Sequence, residues 1–171
     1  MSLVSILEAG RRDFLEATRN IRPEQASGKP TPKSWSVLEC IEHLVVVEDR
    51  FLGWISTGQA IAPQRDTDKE IRLFTMVRSR ATKVEAPEVV RPLGRFETLA
   101  AALAAFNGVR DRSVQVVQER GDSLYAIGVT HPRFGKMNAA ELLHLIDGHA
   151  RRHAEQIRET CETLANLPGS R

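Results

Sequence analysis

An all-α fold, a four-helix bundle, is what this chain of 171 residues predicts, on three observations. Four long stretches place apolar residues at steps of three to four, the period that gathers them on one side of a helix. Between these stretches lie Pro and Gly, residues that a helix interior does not tolerate well. No stretch alternates apolar and polar residues long enough to argue for a sheet. The segment from Leu124 to Val129 can be extended, but it is short and isolated.

The first helix spans roughly 2–19, with Leu3, Leu7, Gly10, Phe14 and Ile21 along one stripe. Residues 20–33 contain Pro23, Gly28, Pro30 and Pro32 and form a connection. Ser34 is the candidate N-cap of the second helix, which runs to about Thr57 and stops at Gly58. Its apolar face is Val37, Ile41, Leu44, Phe51 and Ile55, with Val47 and Trp54 on the flank. Residues 59–95 read as irregular around a short helix near Asp66 to Arg80, because Pro87 and Pro92 break anything longer.

The third long helix starts near Phe96 and reaches about Glu119, ending at Gly121-Asp122. Leu99, Leu103, Phe106, Val109, Val114 and Val117 form its inner side. A loop from Tyr125 to Lys136 contains His131-Pro132 and Gly135. The fourth helix runs from about Asn138 to Leu164. Asn138 can cap it, and Glu141 three residues on completes a capping-box pattern.

Length is consistent with one domain over residues 1–171 that buries a core without disulfides. The formal net charge is +2, from 24 basic and 22 acidic residues. No basic run or stripe appears, which argues against nucleic acid as a partner. Cys40 and Cys161 stand far apart with no metal-type spacing and read as reduced thiols, as in the cytoplasm. Charges come too early in the N-terminal segment for a signal peptide. No apolar run is long enough to span a membrane. The expectation is a cytoplasmic protein.

The stripe of the fourth helix changes chemistry halfway. It reads Leu142, Ile146, His149, His153, Gln156 and Thr160. Four residues is just over one turn, so His149 and His153 leave the same face, one above the other. Burying an unsatisfied imidazole costs on the order of 1–3 kcal/mol. One metal ion between the two rings removes that cost for both. His43 lies amid apolar residues near the middle of the second helix, and three histidines then replace bundle-core residues on two helices. Three imidazoles leave an open position on zinc, where water or a substrate atom can be activated. Nickel, iron and copper accept the same ligands. Ala150 stands where a zincin HExxH would place its glutamate, so a thermolysin-like peptidase is excluded.

Several pieces in order resemble the DinB/YfiT-like superfamily. They are Trp35-Ser-Val-Leu-Glu39-Cys-Ile-Glu-His43-Leu, Val84-Glu-Ala-Pro87-Glu-Val-Val-Arg91-Pro92, His131-Pro-Arg-Phe-Gly135 and His149-Ala-Arg-Arg152-His153-Ala-Glu-Gln156-Ile157. Together they cover roughly residues 34–157. The resemblance implies a bundle in up-down-down-up order. It also implies one divalent ion, zinc or nickel, on His43, His149 and His153, and a homodimer. Some relatives transfer a low-molecular-weight thiol to small electrophiles. A thiol-dependent S-transferase is therefore the leading expectation. A metal-dependent hydrolase follows closely, and a non-catalytic, metal-stabilised binding protein is the rival from another class. A fold family does not choose a substrate.

Four further residues are catalytic candidates. Glu39, one turn before His43, can orient a ligand or act as a base. His131 can handle a proton at the site mouth, although fixing the His-Pro turn is the favoured role. Arg152 can bind an anionic group bidentately. Gln156 can hydrogen-bond a water at the ion or close the core. Glu48 interrupts the second stripe and needs a cation, for which Arg152 or Arg12 is available. For Glu39, Glu48 and Arg152 an ion pair within the bundle is the expectation. Cys40, three residues before His43, reads as a small buried apolar residue rather than a ligand. His144 falls about 140° round the helix from His149 and should face elsewhere.

Overall fold

Side-chain caps set where the helices begin. In this computed structural model, which describes residues 2–82 and 84–166, α1 (Leu3–Thr18) starts where the Ser2 hydroxyl accepts from the Ser5 N–H. A single turn, α2 (Pro23–Ala26), lies in the first connection. In α3 (Val37–Ser56) the cap is Ser36, not Ser34. The Ser36 hydroxyl accepts from the Glu39 N–H at 3.2 Å, and the Glu39 carboxylate accepts from the Ser36 N–H at 2.8 Å. Ser34 bonds Thr31 in the preceding turn instead.

Downstream come β1 (Gln59–Ala60), α4 (Thr67–Arg78) and a 3-10 turn at Glu88–Val90. The helix α5 (Leu99–Arg120) is capped by Thr98. A second 3-10 segment, Gly121–Ala126, leads into β2 (Ile127–His131) and β3 (Gly135–Asn138). The last helix, α6 (Ala139–Ala165), begins with the expected box. Asn138 Oδ1 accepts from the Glu141 N–H, and Glu141 Oε2 accepts from the Asn138 N–H, both at 2.9 Å.

The helices α1, α3, α5 and α6 form a four-helix bundle, and α4 packs outside α6. Named contacts set the directions. Along α1, Gly10 meets Asp147 and Asp13 meets Arg158, so α1 and α6 run parallel. Glu42 meets Leu93, just ahead of α5, and Glu48 meets Ser113, so α3 and α5 run parallel. Leu7 meets Arg110 while Phe14 meets Phe106, so α1 opposes α5. Trp35 faces His153 and His43 faces His149, so α3 opposes α6. This is the up-down-down-up order. Close approach depends on small residues. A Cβ on Gly10 would stand 1.9 Å from the Asp147 carboxylate, and one on Gly148 would stand 2.9 Å from the Phe74 carbonyl oxygen.

The sequence reading of no sheet is corrected. The three strands form an antiparallel sheet in the order β1-β2-β3, with Val129 opposite Met137 and Gln59 opposite Gly128. Strands this short leave no room for an alternation pattern. The hairpin holds because its cross-strand pair Val129 and Met137 is buried against the bundle.

Two apolar clusters make the core. One includes Leu7, Phe51, Leu142 and Ile146, and the other Phe14, Ile41, Phe106 and Ile157. Along α5 and α6, polar residues sit between the two: Arg110 and Ser113 on α5, His149 and His153 on α6. Glu48 of α3 joins the α5 pair, and its partner corrects the expectation of Arg152 or Arg12. Arg110, fully buried on α5, donates to Glu48 through Nη2 at 3.0 Å and pairs through Nε at 2.9 Å, while the Ser113 hydroxyl donates at 2.6 Å. Buried ions survive only when paired in this manner. Among the described residues no helix is long and apolar enough to cross a membrane.

Candidate metal centre

His43 on α3 and His149 and His153 on α6 meet inside the bundle. Nε2 of His149 lies 3.2 Å from Nε2 of His43 and 3.1 Å from Nε2 of His153. All three potential ligand atoms fall within 4.8 Å of one another. His43 and His153 are buried and His149 is half-buried. Trp35 closes one side, with its ring centroid 4.9 Å from His43 and 6.2 Å from His153.

Proton counting tests whether a cation fits. His43 Nδ1 lies 2.7 Å from the Val90 carbonyl oxygen, which can only accept. The proton of neutral His43 is therefore on Nδ1, and its Nε2 is bare. His149 Nε2 carries at most one proton but faces two ring nitrogens. Protonated, it can donate to only one of them; bare, it meets the bare His43 nitrogen lone pair to lone pair, even when His153 donates to it. One cation among the three nitrogens relieves both. Zn–N bonds of about 2.0–2.1 Å with tetrahedral angles put ligand nitrogens about 3.3 Å apart, close to what is found. Electrostatics agrees with neutral rings ready to ligate. Burial pushes His43 down, and burial followed by the neighbouring cationic groups pushes His149 and His153 well below the usual imidazole value.

Among the described residues no fourth ligand joins the three imidazoles. Glu39 is committed elsewhere. Its carboxylate closes the Ser36 capping box and pairs with Lys29 at 2.7 Å, and it is not among the groups gathered at the three imidazoles. Cys40 is fully buried, and burial pushes its thiol up to about 12. His144 faces away and lies 3.3 Å from Glu70, as its helical angle predicts.

His131 has the turn-fixing role. Its Nδ1 accepts from the N–H groups of Arg133 and Phe134 at 3.0 and 3.3 Å, and its ring packs against Phe51, Trp54 and Phe134. The remaining proton is then on Nε2. Gln156 accepts from Arg80 at 3.3 Å, and Arg80 also pairs with Glu159. Arg152 makes no ion pair among the described residues, contrary to expectation. Its Nη2 donates to the Thr82 carbonyl at 2.9 Å.

Glu42, which the sequence reading passed over, organises the loop beside the site. It is buried, and its carboxylate accepts from the N–H groups of Leu93, Gly94 and Arg95 at 2.7, 2.9 and 3.0 Å. The available signal was a Glu at a buried position directly before a candidate ligand. A cavity of about 640 Å³ lies apart from the three histidines, lined by Trp54, Ile61, Lys69, Val129, Asn138 and Glu141.

Residues 6–157 match the DinB superfamily. The chain is 22% identical over 166 residues to the uncharacterized protein YuaE of Bacillus subtilis, covering 94% of this chain and 98% of that one. Among solved structures, it resembles YfiT from Bacillus subtilis, described as a probable metal-dependent hydrolase with an unusual four-helix bundle topology. The TM-score is 0.58 at 16% identity, over 94% of this chain and 84% of that chain. TT2238, a four-helix bundle protein, matches with a TM-score of 0.51 at 21% identity, over 92% of this chain and 96% of that chain.

Proposed function

The chain belongs to the DinB superfamily, and from that premise we propose that it is a metal-dependent enzyme that activates a thiol for transfer to a small electrophile. His43, His149 and His153 would hold one divalent ion, zinc or nickel. The observation that carries this reading is the meeting of three ring nitrogens at 3.1 and 3.2 Å with no fourth ligand beside them. A bound divalent ion supplies the means to lower the pKa of a thiol or water at its open position. The absence of a closing ligand among the described residues favours this over a purely structural ion.

The chain's own residues have defined tasks. The Val90 carbonyl fixes the His43 tautomer and ring angle. Trp35 covers the His43 and His153 rings and keeps water from that side. His131, with Nδ1 occupied by two backbone N–H groups, keeps its Nε2–H as a free donor among the described residues, one that would serve a substrate polar atom at the site mouth. Burial and the Arg133 charge push its pKa down, so the ring is neutral at pH 7 and gives a hydrogen bond rather than a full charge.

Hydrolysis is the second reading, favoured by the description of YfiT. One assay separates them. Zinc- or nickel-loaded protein is given a haloaromatic or epoxide electrophile with and without a low-molecular-weight thiol, and a set of esters and amides without thiol. Metal-dependent loss of thiol with electrophile supports transfer. Turnover of an ester or amide without thiol favours hydrolysis. Absence of metal-dependent turnover in both arms contradicts the enzyme reading.

A further inference from the structure

Positive charge beside the three imidazoles has no matching negative charge. Residues 149, 152, 153 and 156 follow the i, i+3, i+4, i+7 pattern, so Arg152 shares one face of α6 with both histidines and Gln156. It is half-buried. Its Nη2 donates to the Thr82 carbonyl, and no other protein acceptor engages its remaining N–H groups among the described residues. No carboxylate pairs with it there. Glu159, the acidic group nearby, is bound by Arg80 through both Nε and Nη2. Arg133, exposed on the hairpin turn, adds another cation and lies over the Phe134 ring.

A guanidinium removed from water normally has an anion against it. Among the described residues, the groups that bear on this one are cationic, already paired, or a backbone carbonyl. We infer that Arg152 is a specificity-determining residue that binds a carboxylate on the substrate or thiol cosubstrate while its reactive atom lies at the three imidazoles. Resting on the proposed function above, this names the class of molecule served: a small carboxylate-bearing thiol or electrophile rather than a neutral one. The planar fork of Arg152 matches a carboxylate with two parallel N–H···O bonds. Its place between His149 and His153 on one face lets a short molecule span both points.

Two pairs of probes test the claim in zinc-loaded, isotope-labelled protein by NMR titration. The pairs are 3-mercaptopropionate against 3-mercaptopropionamide, and propionate against propionamide. The expectation is that each carboxylate binds about ten- to a hundredfold more tightly than its amide, with the Arg152 side-chain signal shifting. Arg152→Gln should remove the preference without weakening amide binding, and Arg152→Lys should restore part of it. No preference in the wild-type protein, or an equal preference in Arg152→Gln, overturns the inference. The thiol reading is judged separately. If the mercapto probes bind no better than the plain ones while the carboxylate preference still depends on Arg152, thiol activation fails and the anion site stands. Thermal melts of both variants confirm that each is folded.

Discussion

His43 Nδ1 donates to the carbonyl of Val90, 2.7 Å away and 47 residues along the chain. That bond turns Nε2 of His43 toward His149 and joins the site to the loop that follows the Glu88–Val90 turn. Glu42, the neighbour of His43, holds the same loop by three N–H groups. Two adjacent residues of α3 therefore grip one segment, one for shape and one for chemistry.

Glu42→Ala should release that loop and leave its N–H groups without their acceptor. Metal affinity is expected to fall about 10- to 100-fold although all three histidines remain, the usual cost of losing support behind a ligand. Competition against a chromophoric chelator measures it. An unchanged affinity would show that the grip of Glu42 on the loop does not support the ligand set.

Acid should destabilise the metal-free protein through the three imidazoles. Burial pushes His43 down and His149 and His153 well down in the folded state, whereas unfolded histidines titrate near about 6.5. As pH drops through that value the unfolded chain binds more protons than the folded one, so stability falls. Glu70 and Asp147, raised by burial, act in the opposite sense at lower pH. The comparison that isolates the site is wild type against His149→Gln between pH 7.5 and 5.5. The variant should lose less stability over that range, by up to about 1.4 kcal/mol per pH unit for one proton. Parallel curves would contradict neutral, buried rings.

The pair of Glu48 and Arg110 should be critical to folding and irrelevant to metal. Glu48→Gln or Arg110→Met strands a buried partner and is expected to cost about 3–5 kcal/mol. The double variant should recover much of the loss. Denaturant melts measure the effect, and a cost below about 1 kcal/mol for either single change would show that the polar layer is not closely packed.

Asn138 performs two tasks at the start of α6. Its Oδ1 caps the helix, and its Nδ2 donates to the Gln64 carbonyl at 2.8 Å. Asn138→Ala should cost about 1–2 kcal/mol, and Asn138→Asp, which keeps the cap, should cost less. Equal losses would place the stabilisation in the Gln64 contact alone.

The parts visible in sequence were those written in local periodicity. The four long helices, the Asn138 box and the shared face of His149 and His153 all follow from residues a few positions apart. Ser36 is readable too, because Glu39 stands three residues on and completes a capping box. The hairpin was hidden because its stability comes from burying Val129 and Met137 against helices distant in sequence. The partner of Glu48 was hidden for the same reason. Arg110 lies 62 residues away on a stripe that otherwise reads apolar. No pattern announces a backbone acceptor, so the bond from His43 to Val90 needed the folded loop. Arg152 was expected to find an ion pair, and its lack of one among the described residues became the most informative feature of the rim.

If His43, His149 and His153 hold one ion, the metal content of the protein depends on His149. The decisive measurement is metal analysis of untagged, metal-equilibrated and desalted protein, comparing wild type with His149→Ala. One divalent ion per chain is expected in the wild type and close to none in the variant, with both proteins folded by circular dichroism. Equal metal in the two proteins, or none in the wild type, would contradict a site on these three residues.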